Sequence, residues 1–315
     1  MKYGDDFVYI IVLNYNKLHE TLITIDSCLE QNYSNYKVLL VDNNSEEQIY
    51  QGIKNRYGDR IEYLRLEKNY GYAEGNNLGV KYGISKKSKF SLILNNDVVL
   101  VGRNLLKNLL TETIKDEKII AMNPVIYNRF KGDYKRIETN SMYVKLLFKI
   151  GILSQNNSLK SDSIKSKEIY QLHGSALLVR NEDFIKIGGF PKEYFMYNEE
   201  NAFSFRAKLN GFILLQFVSD DEFVLHNHIK GKISPWKVYL MGRNFELSKS
   251  IFTKNRKIIS ILHFISNFKT IFIQILKLNF EFIHYYRLGI KNAKRLTRSN
   301  SDEIFNDAVR HMERI

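Results

Sequence analysis

The sequence predicts an α/β fold, in which a mostly parallel sheet is flanked by helices and followed by a C-terminal helical extension. Over the first 130 residues, short apolar runs alternate with stretches of helical periodicity. Strands that are apolar throughout and separated by helices are typical of a parallel sheet covered on both faces. After Trp236 the apolar spacing is helical to the end of the chain, which predicts the helical extension.

The first half of the chain supplies most of the predicted sheet. Strands are expected where short apolar runs are bounded by polar residues: 7–13, 36–42, 61–66, 90–95 and 119–127. Helices are expected where apolar residues recur every three or four positions: 18–31, 47–57, 73–84 and 103–116. In such sheets ligands bind beyond the carboxyl ends of the strands.

The middle of the chain is less regular. A stretch rich in Ser, Lys and Asn over 143–168 is expected to form a mobile loop or flap. A strand, two helices and a further strand are then expected: 169–180 with an interruption at Gly174, 181–190, 198–212 and 213–226.

Composition limits the classes of protein. The chain has 315 residues, of which 44% are hydrophobic, so it can bury a sizeable core. Its single cysteine, Cys28, excludes an intrachain disulfide and a cysteine-based metal site. The N-terminus lacks the basic start and long apolar core of a signal peptide. A cytoplasmic protein is therefore expected.

The net charge of +13 is unevenly distributed. The final 62 residues hold 12 Lys and Arg against 5 Asp and Glu, a net +7. A basic surface can meet nucleic acid, an anionic membrane, phosphorylated substrates or only solvent. No nucleic-acid-binding motif is present, so no nucleic acid partner is expected.

Apolar residues from Ile258 to Ile290 are dense but interrupted by polar side chains. No uninterrupted apolar stretch approaches the roughly 20 residues that span a bilayer, so no membrane-spanning helix is expected. The mixture of aromatic, aliphatic and basic residues favours helices that lie on an anionic membrane. Helices packed on the protein itself are the alternative.

Polar clusters follow the first four predicted strands. Their sequences are NYN, DNNS, EKNYGYAEGNN and NND. Because the carboxyl ends of parallel strands lie at one edge of the sheet, the clusters predict the lip of a binding site. Four unrelated turns are the alternative, since Asn and Asp are common turn residues.

The order and spacing of these clusters resemble the GT-A-fold glycosyltransferases of family 2, especially the bacterial rhamnosyltransferase-like branch. The resemblance covers about residues 7–250 and rests on these segments: IIVLNYN, LLVDNNS, NYGYAEGNNLG, LILNND, HGSALLVR, GGFPKEYFMYNEENAFSFR and RNFELSKSIFTKN. It implies a Rossmann-like GT-A catalytic domain over 1–250, with a nucleotide-sugar half over about 1–130 and an acceptor half over about 131–250. A basic amphipathic helical region over 251–315 follows.

The resemblance implies a nucleotide-sugar site at these clusters. Asp42, at the end of the second strand, is expected to contact the base or ribose, because a carboxylate accepts hydrogen bonds from a pyrimidine N–H or a hydroxyl. The alternative is that Asp42 caps the helix that begins at residue 47. The other residues implied for nucleotide-sugar binding are Asn14, Asn44, Gly71, Gly75, Asn76, Asn77, Asn95 and Asn96.

Asn95, Asn96 and Asp97 occupy the place of the family's D-x-D motif. A nucleoside diphosphate supplies oxygen ligands of its own, so a hard cation bound to it needs few protein carboxylates. Asp97 is therefore expected to hold Mg²⁺ or Mn²⁺, while the two amides contact ribose or phosphate. The resemblance also implies His226 as a metal or diphosphate ligand, although a histidine at a strand end is often only structural.

Glu199 and Glu200 open a predicted helix where the family has a Glu-Asp pair. Transfer to a hydroxyl needs a base that takes its proton, and the second member of the pair, Glu200, is expected to be that base. A further acidic residue that is common in the family is replaced by Ala202. The alternative is that both acids only favour the N-terminus of the helix.

The implied activity is that of a cytoplasmic, inverting glycosyltransferase, peripheral at the inner face of the plasma membrane. Its donor would be dTDP-rhamnose or a UDP-sugar, and its acceptor a hydroxyl of a glycan or lipid-linked glycan in cell-surface polysaccharide synthesis. A nucleotidyltransferase is disfavoured, because LNYNKLHET carries no glycine-rich loop after the first strand. A non-catalytic nucleotide-sugar-binding or scaffold relative is the remaining alternative.

Overall fold

The computed structural model describes residues 6–130, 133–137, 142–153, 166–227, 233–297 and 299–314. Its strands, in chain order, are β1 (Val8–Asn14), β2 (Tyr36–Asp42), β3 (Glu62–Arg65), β4 (Phe90–Asn95), β5 (Val98–Val101), β6 (Ile119–Asn123), β7 (Ile126–Phe130), β8 (Asp133–Arg136), β9 (Ser166–Ile169), β10 (Ala176–Arg180), β11 (Ile213–Phe217) and β12 (Phe223–His226). Its α-helices are α1 (Leu18–Leu29), α2 (Glu47–Tyr57), α3 (Gly71–Ser85), α4 (Leu105–Thr113), α5 (Met142–Lys149), α6 (Asn181–Lys186), α7 (Glu199–Leu209), α8 (Pro235–Leu247), α9 (Arg256–Leu276), α10 (Phe280–Leu296) and α11 (Ser301–Arg314).

The strands form two sheets. The larger sheet has the order β3-β2-β1-β4-β10-β6-β11-β9, and the smaller has the order β5-β12-β7-β8. From β3 to β4 every neighbouring pair is parallel, whereas β10 runs antiparallel to both β4 and β6. The predicted α/β fold, with a mostly parallel sheet flanked by helices and a helical C-terminal region, is confirmed.

Strand β1 shows why the first strands are apolar throughout. Val8, Ile10 and Val12 face one hydrophobic core, and Tyr9 and Ile11 face another. Alternate side chains of a strand point to opposite faces of the sheet, so a strand covered on both faces has no solvent-facing positions. Helices α1, α2 and α4 contribute to the first core, and α3, α6 and α7 to the second.

Three predicted strands are corrected by the structure. The stretches 119–127 and 213–226 each contain residues of two strands that belong to different sheets, and 169–180 contains the last residue of β9 and the whole of β10, which are not neighbours. Apolar periodicity continues across a bend, so it cannot show that the chain leaves one sheet for another. The predicted mobile stretch 143–168 contains most of α5 and the start of β9, and its residues 154–165 lie outside the described residues.

Two glycines let α8 and α10 pack in close contact. A Cβ on Gly242 would lie 2.4 Å from the backbone oxygen of Tyr286, and one on Gly289 would lie 2.2 Å from that of Tyr239. Helix α11 is attached to α8 by a buried ion pair between Arg243 Nη1 and Asp307 Oδ2, at 3.1 Å. Helices α10 and α11 therefore pack against the residues before 250.

Helix α9 differs from its neighbours because it exposes many apolar side chains. These form what we call the exposed face of α9: Ile258, Ile261, Phe264, Ile265, Phe268, Phe272, Ile273, Ile275 and Leu276. By length and composition α9 is able to cross a membrane, with a mean hydropathy of 1.5 in an 18-residue window that is 17% buried. The prediction that no such helix exists is thus corrected, because scattered polar residues break an apolar run without making the helix polar.

Candidate active site

A cavity of about 910 Å³, here called the main cavity, lies at the carboxyl ends of β1, β2 and β4. Its walls include the start of α1, the residues around the start of α3, the connection from β4 to β5, and parts of α8 and α11. The predicted binding edge of the sheet therefore borders a real concavity. Of the residues predicted for nucleotide-sugar or metal binding, Gly71, Asn95, Asn96 and Asp97 line it.

Asn14 ties together the ends of three strands. Its Oδ1 accepts hydrogen bonds from Thr21 Oγ1 at 2.9 Å and Asn96 Nδ2 at 3.0 Å, while its Nδ2 donates to Ser45 Oγ at 3.2 Å. The side chain also donates to Asp42 Oδ1 at 3.3 Å and is fully buried. In place of the predicted ligand contact, Asn14 positions the residues that border the cavity.

Asp42 is also fully buried. Its Oδ2 accepts a hydrogen bond from the backbone N–H of Ser45 at 3.1 Å and lies 3.6 Å from Arg65 Nε. In this arrangement the Asp42 carboxylate has no exposed surface for the predicted contact with base or ribose, and it stabilises the turn before α2. Asn44 is exposed with a φ of 64°, and it is not among the residues that line the main cavity.

Asn43, which the sequence analysis passed over, is the residue of the DNNS cluster that lines the cavity. Its Nδ2 donates to Asn69 Oδ1 at 2.8 Å and to the Gly71 carbonyl at 3.1 Å, and its Oδ1 accepts from the Tyr70 N–H at 2.9 Å. These bonds fix the entry to α3. Gly71 has a φ of 74°, and a Cβ there would lie 2.4 Å from the backbone oxygen of Phe195, so only glycine fits.

Gly75, Asn76 and Asn77, which are predicted to contact the donor, do not line the main cavity, and their contact with a donor stays a prediction. A Cβ on Gly75 would lie 2.7 Å from Leu13 Cδ1, so this glycine serves the packing of α3 on β1. Asn76 Nδ2 donates to the Tyr72 carbonyl at 2.9 Å. The side chain of Asn77 bonds to the backbone of Phe190. Its Nδ2 donates to the Phe190 carbonyl at 2.8 Å, and its Oδ1 accepts from the Phe190 N–H at 2.9 Å. Since α3 turns its buried side to the sheet, these amides satisfy protein groups.

Asp97 and His226 come together although 129 positions separate them in the sequence. His226 Nε2 lies 3.1 Å from Asp97 Oδ1, because β12 pairs antiparallel with β5 and places His226 opposite Val98. The ring of His173 lies 6.1 Å from that of His226. Burial, with a smaller effect of His226, lowers the pKa of His173 to about 4, so its imidazole is neutral at pH 7.

This donor set fits a divalent cation shared with a diphosphate. A carboxylate and an imidazole are both suitable ligands for Mn²⁺, and the carboxylate suits Mg²⁺. Within the described residues no group of three or more His, Cys, Asp and Glu side chains forms a self-sufficient metal site. A cation here would therefore depend on oxygen ligands from the nucleotide, in agreement with the single charge of the NND cluster.

Glu199 and Glu200 form a pair of neighbouring carboxyls at the start of α7. Glu199 is 5% exposed, whereas Glu200 is half-buried. Burial raises the pKa of Glu200 to about 7, and a hydrogen bond from Glu199 partly opposes that rise. The pKa of Glu199 is raised further, by burial and then by the charge of Glu200. Near neutral pH, Glu199 therefore holds a proton while Glu200 exchanges one.

Tyr72 connects this pair to the main cavity. It lines the cavity, and its hydroxyl donates a hydrogen bond to the carbonyl of Gly174. Burial raises the pKa of Tyr72, and the charges of Glu199 and Glu200 raise it further, so the phenol lies near both carboxyls. Neither carboxyl lines the main cavity, but Tyr72 connects the pair to its wall.

The chain enters α7 through a strained turn. Phe195, Tyr197 and Asn198 have φ values of 64°, 72° and 66°, which non-glycine residues rarely adopt. Asn244, fully buried on α8, donates from Nδ2 to the carbonyls of Met196 and Tyr197, both at 2.8 Å. Strain of this kind persists only where surrounding contacts enforce it, and it concentrates at functional sites. Asn244 therefore positions the carboxyl pair.

Several further cavity residues escaped the sequence analysis. Besides Asn43 and Tyr72, they include Arg129, Tyr134, Trp236, Lys237 and Met312. Asn244, which does not line the cavity, was not predicted either, although the segment RNFELSKSIFTKN contains it. Met312 belongs to α11, so the C-terminal helices contribute to the wall of the cavity.

Comparison with known proteins identifies the family. A model of the family described as glycosyl transferase family 2 matches residues 9–188, which include the NND cluster but neither His226 nor the Glu199–Glu200 pair. The low-salt glycan biosynthesis hexosyltransferase Agl10 of Haloferax volcanii is 27% identical over 254 residues, 79% of this chain and 78% of that protein. The rhamnosyltransferase WbbL of Escherichia coli K12 is 25% identical over 272 residues, 78% and 99% of the two chains.

Solved structures share the fold. GalNAc-T7, solved with UDP, GalNAc and Mn²⁺, superposes with a TM-score of 0.60 at 15% identity over 80% of this chain, which spans only 49% of that one. The mannosyltransferase PcManGT of Pyrobaculum calidifontis, solved with GDP-Man and Mn²⁺, gives a TM-score of 0.56 at 11% identity, covering 98% and 81% of the two chains. The expected GT-A fold is therefore confirmed.

Proposed function

This chain belongs to glycosyl transferase family 2, and we propose that it is an inverting enzyme that glycosylates a hydroxyl of a lipid-linked or free glycan in cell-surface polysaccharide synthesis. The observation that carries the proposal is the proximity of two titratable pairs to the main cavity. Asp97, paired with His226, lines the cavity, and Tyr72, which also lines it, lies near the carboxyls of Glu199 and Glu200. A transferase needs these two chemistries, one for the leaving diphosphate and one for the attacking hydroxyl.

The donor is a nucleoside diphosphate sugar, with dTDP-rhamnose or a UDP-sugar as the first candidates. The name of the E. coli relative supports the former. Asp97 and His226 would hold Mg²⁺ or Mn²⁺, which neutralises the charge of the leaving diphosphate when bound. Asn95 lies on the same edge, where its amide can donate to ribose or phosphate.

The acceptor is deprotonated by Glu200. A general base works best when its pKa lies near the operating pH, and the Glu200 pKa of about 7 meets that requirement. Glu199 stays protonated and donates a hydrogen bond to Glu200, which keeps the base oriented. Direct attack by the activated hydroxyl inverts the anomeric centre, because the leaving diphosphate occupies the opposite side.

The enzyme acts in the cytoplasm, attached to the anionic inner face of the plasma membrane. The exposed face of α9 supports this placement, since it offers aromatic and aliphatic side chains to the acyl boundary. Lys254, Arg256, Lys257 and Lys277 are exposed near the two ends of the helix, where they can meet lipid phosphates. We infer that α9 lies along the surface, because Lys269 interrupts its length.

A panel of nucleotide-sugars tests the proposed activity. The protein is incubated with Mn²⁺ and dTDP-rhamnose, UDP-glucose, UDP-GlcNAc, UDP-galactose or GDP-mannose, and its melting temperature and the slow release of nucleoside diphosphate are measured. We expect one or two donors to stabilise the fold and to be hydrolysed without acceptor. If none of them binds in the presence of metal, the proposed donor class is wrong.

A further inference from the structure

A second cavity, of about 400 Å³, shares no lining residue with the main cavity. It is enclosed by residues of α5, α7, α8, α9 and α10, and most of its lining is aromatic or aliphatic. Representative lining residues are Val144, Phe205, Met241, Phe245, Leu262 and Tyr286. Its volume lies within the range of about 300–1,000 Å³ that is typical of ligand pockets. None of its lining residues was needed for the proposed transfer chemistry.

One end of this second cavity is polar and adjoins the catalytic carboxyls. Gln171, Asn198 and Asn201 line it there, and the latter two flank Glu199 and Glu200 in the chain. Gln171 Nε2 donates to Asn201 Oδ1 at 2.5 Å, and Asn201 Nδ2 donates to Asn198 Oδ1 at 3.0 Å. These amides form a polar boundary between an apolar cavity and the proposed base.

The other end opens onto the exposed face of α9. Ile265 and Ile273 line the second cavity and are nevertheless 52% and 37% exposed. Positions 265, 269 and 273 are one turn apart on the helix, so their side chains form one row. Lys269, in the middle of that row, also lines the cavity, and α9 carries no acidic residue. The opening is therefore apolar with a positive charge.

We propose that the second cavity binds the hydrocarbon chain of a lipid-linked glycan acceptor. This rests on the proposed function and specifies its acceptor. The chain passes from the exposed face of α9 into the cavity, and the glycan end points past the amides towards Glu200. An amphiphilic lipid phosphate suits this order, since its chain matches the apolar lining and its phosphate, which joins chain to glycan, can accept hydrogen bonds from the amides at the polar end. Lys269, at the opening, can meet headgroup phosphates of the membrane. A ligand without a chain would leave the apolar lining unused.

Two substitutions on α9 separate this site from general membrane adsorption. Ser266→Trp places a bulky ring in the lining of the second cavity. Phe268→Ser is the matched control, because Phe268 is 60% exposed on the same helix and belongs to the exposed face rather than the cavity lining. Ser266→Ala controls for loss of the hydroxyl. Melting temperature and dTDP or UDP binding with Mn²⁺ establish that each variant is folded.

The probes are farnesyl phosphate below its micelle concentration and vesicles of phosphatidylglycerol and phosphatidylcholine. We expect saturable binding of farnesyl phosphate to the wild type, a loss of about tenfold or more in Ser266→Trp and no loss in Phe268→Ser. Excluding two methylene groups from an apolar site costs about tenfold in affinity. Vesicle binding should respond in the opposite way, falling in Phe268→Ser and persisting in Ser266→Trp.

Four results overturn the proposal. Unchanged farnesyl phosphate binding in Ser266→Trp would place the chain elsewhere. If Phe268→Ser loses probe binding and vesicle binding equally, farnesyl phosphate adsorbs on the exposed face of α9 alone. If the wild type forms dimers that do not bind the probe, a second copy of the chain occupies the cavity. If Ser266→Trp does not fold, crosslinking by a benzophenone analogue of farnesyl phosphate decides, and labels outside α5, α7, α8, α9 and α10 refute the site.

The proposed function fails by a different result. Loss of nucleoside diphosphate binding in the wild type, with saturable farnesyl phosphate binding intact, would overturn the donor assignment and leave the lipid site standing. Normal donor binding without saturable farnesyl phosphate binding would overturn the lipid site and leave the donor assignment standing.

Discussion

The Asp97–His226 pair and the Glu199–Glu200 pair both lie near the main cavity but are built in opposite ways. Asp97 lines the cavity directly, whereas the carboxyls lie near Tyr72, which lines it. Asp97 faces an imidazole at 3.1 Å, so that pair offers an oxygen and a nitrogen to one cation. Glu200 lies beside a second carboxyl in a buried setting, and burial is the largest cause that raises the pKa of both. The comparison teaches that the surroundings of an acidic residue, more than its type, assign it to metal binding or to proton transfer.

The largest expected effect tests the proton-transfer half of the comparison. A general base contributes about 10²–10⁴-fold, so Glu200→Gln should lower turnover by that order. It should leave donor binding nearly intact, because the residue is not a phosphate ligand. Single-turnover kinetics with saturating donor measure the first effect, and calorimetry with the nucleoside diphosphate measures the second. Turnover at the wild-type level would remove Glu200 from the mechanism.

The metal half of the comparison is tested by Asp97→Ala. A residue that only hydrogen-bonds a metal ligand contributes about 10–100-fold to metal affinity. Asp97 is proposed as a ligand itself, so we expect at least that loss in Mn²⁺-dependent binding of UDP or dTDP. Asn96→Ala is the control and should cost less, because the Asn96 amide donates to Asn14 and Thr21. Calorimetry with and without Mn²⁺ measures both. Equal affinities of wild type and Asp97→Ala in the presence of metal would contradict the assignment.

The pH dependence of turnover sharpens the difference between the pairs. Glu200 must be ionised to accept a proton, and its pKa is about 7. Turnover with saturating donor should therefore rise with pH through neutrality and fall by about tenfold for each unit below that pKa. In Glu200→Gln this acid limb should vanish from the residual activity. A wild-type profile that is flat from pH 5.5 to 8 would refute the proposed proton transfer.

The smallest effect is expected at Glu199. The amide of Glu199→Gln can still donate a hydrogen bond to Glu200, so the base keeps its orientation and turnover should fall by less than about tenfold. Because Glu199 is already protonated and its hydrogen bond lowers the pKa of Glu200, an amide that keeps this bond should leave the acid limb near its wild-type pH. The roles must be exchanged if Glu199→Gln abolishes turnover while Glu200→Gln retains it.

The C-terminal helices show the limit of composition as a guide. Residues 251–315 were predicted as one basic amphipathic region, a division that stays a prediction. In the structure α10 and α11 pack on α8 through Gly289 and the Arg243–Asp307 pair, whereas α9 exposes its apolar side chains. Deleting everything after 255 would therefore remove structural helices together with α9. Substitutions on the exposed face of α9 avoid that loss.

The sequence by itself determined the order of strands and helices over residues 7–95, the polar edge of the sheet and the NND cluster, but not β5, which precedes the helix predicted over 103–116. Each of these depends on periodicity or on residues close together in the chain, which is why local patterns reveal them. The family resemblance added Glu199, Glu200 and His226, which sequence periodicity alone does not single out.

Only the tertiary structure decided which of these polar residues face the main cavity. Asn14, Asp42, Asn76 and Asn77 hydrogen-bond protein groups, whereas Asn43 borders the cavity, and all five are similar polar residues in the sequence. The same holds for the Glu200 pKa, for the pairing of His226 with Asp97 and for the second cavity. All of these depend on burial and on partners distant in sequence, and a hydrophobic pattern records that a side chain is apolar but not what covers it.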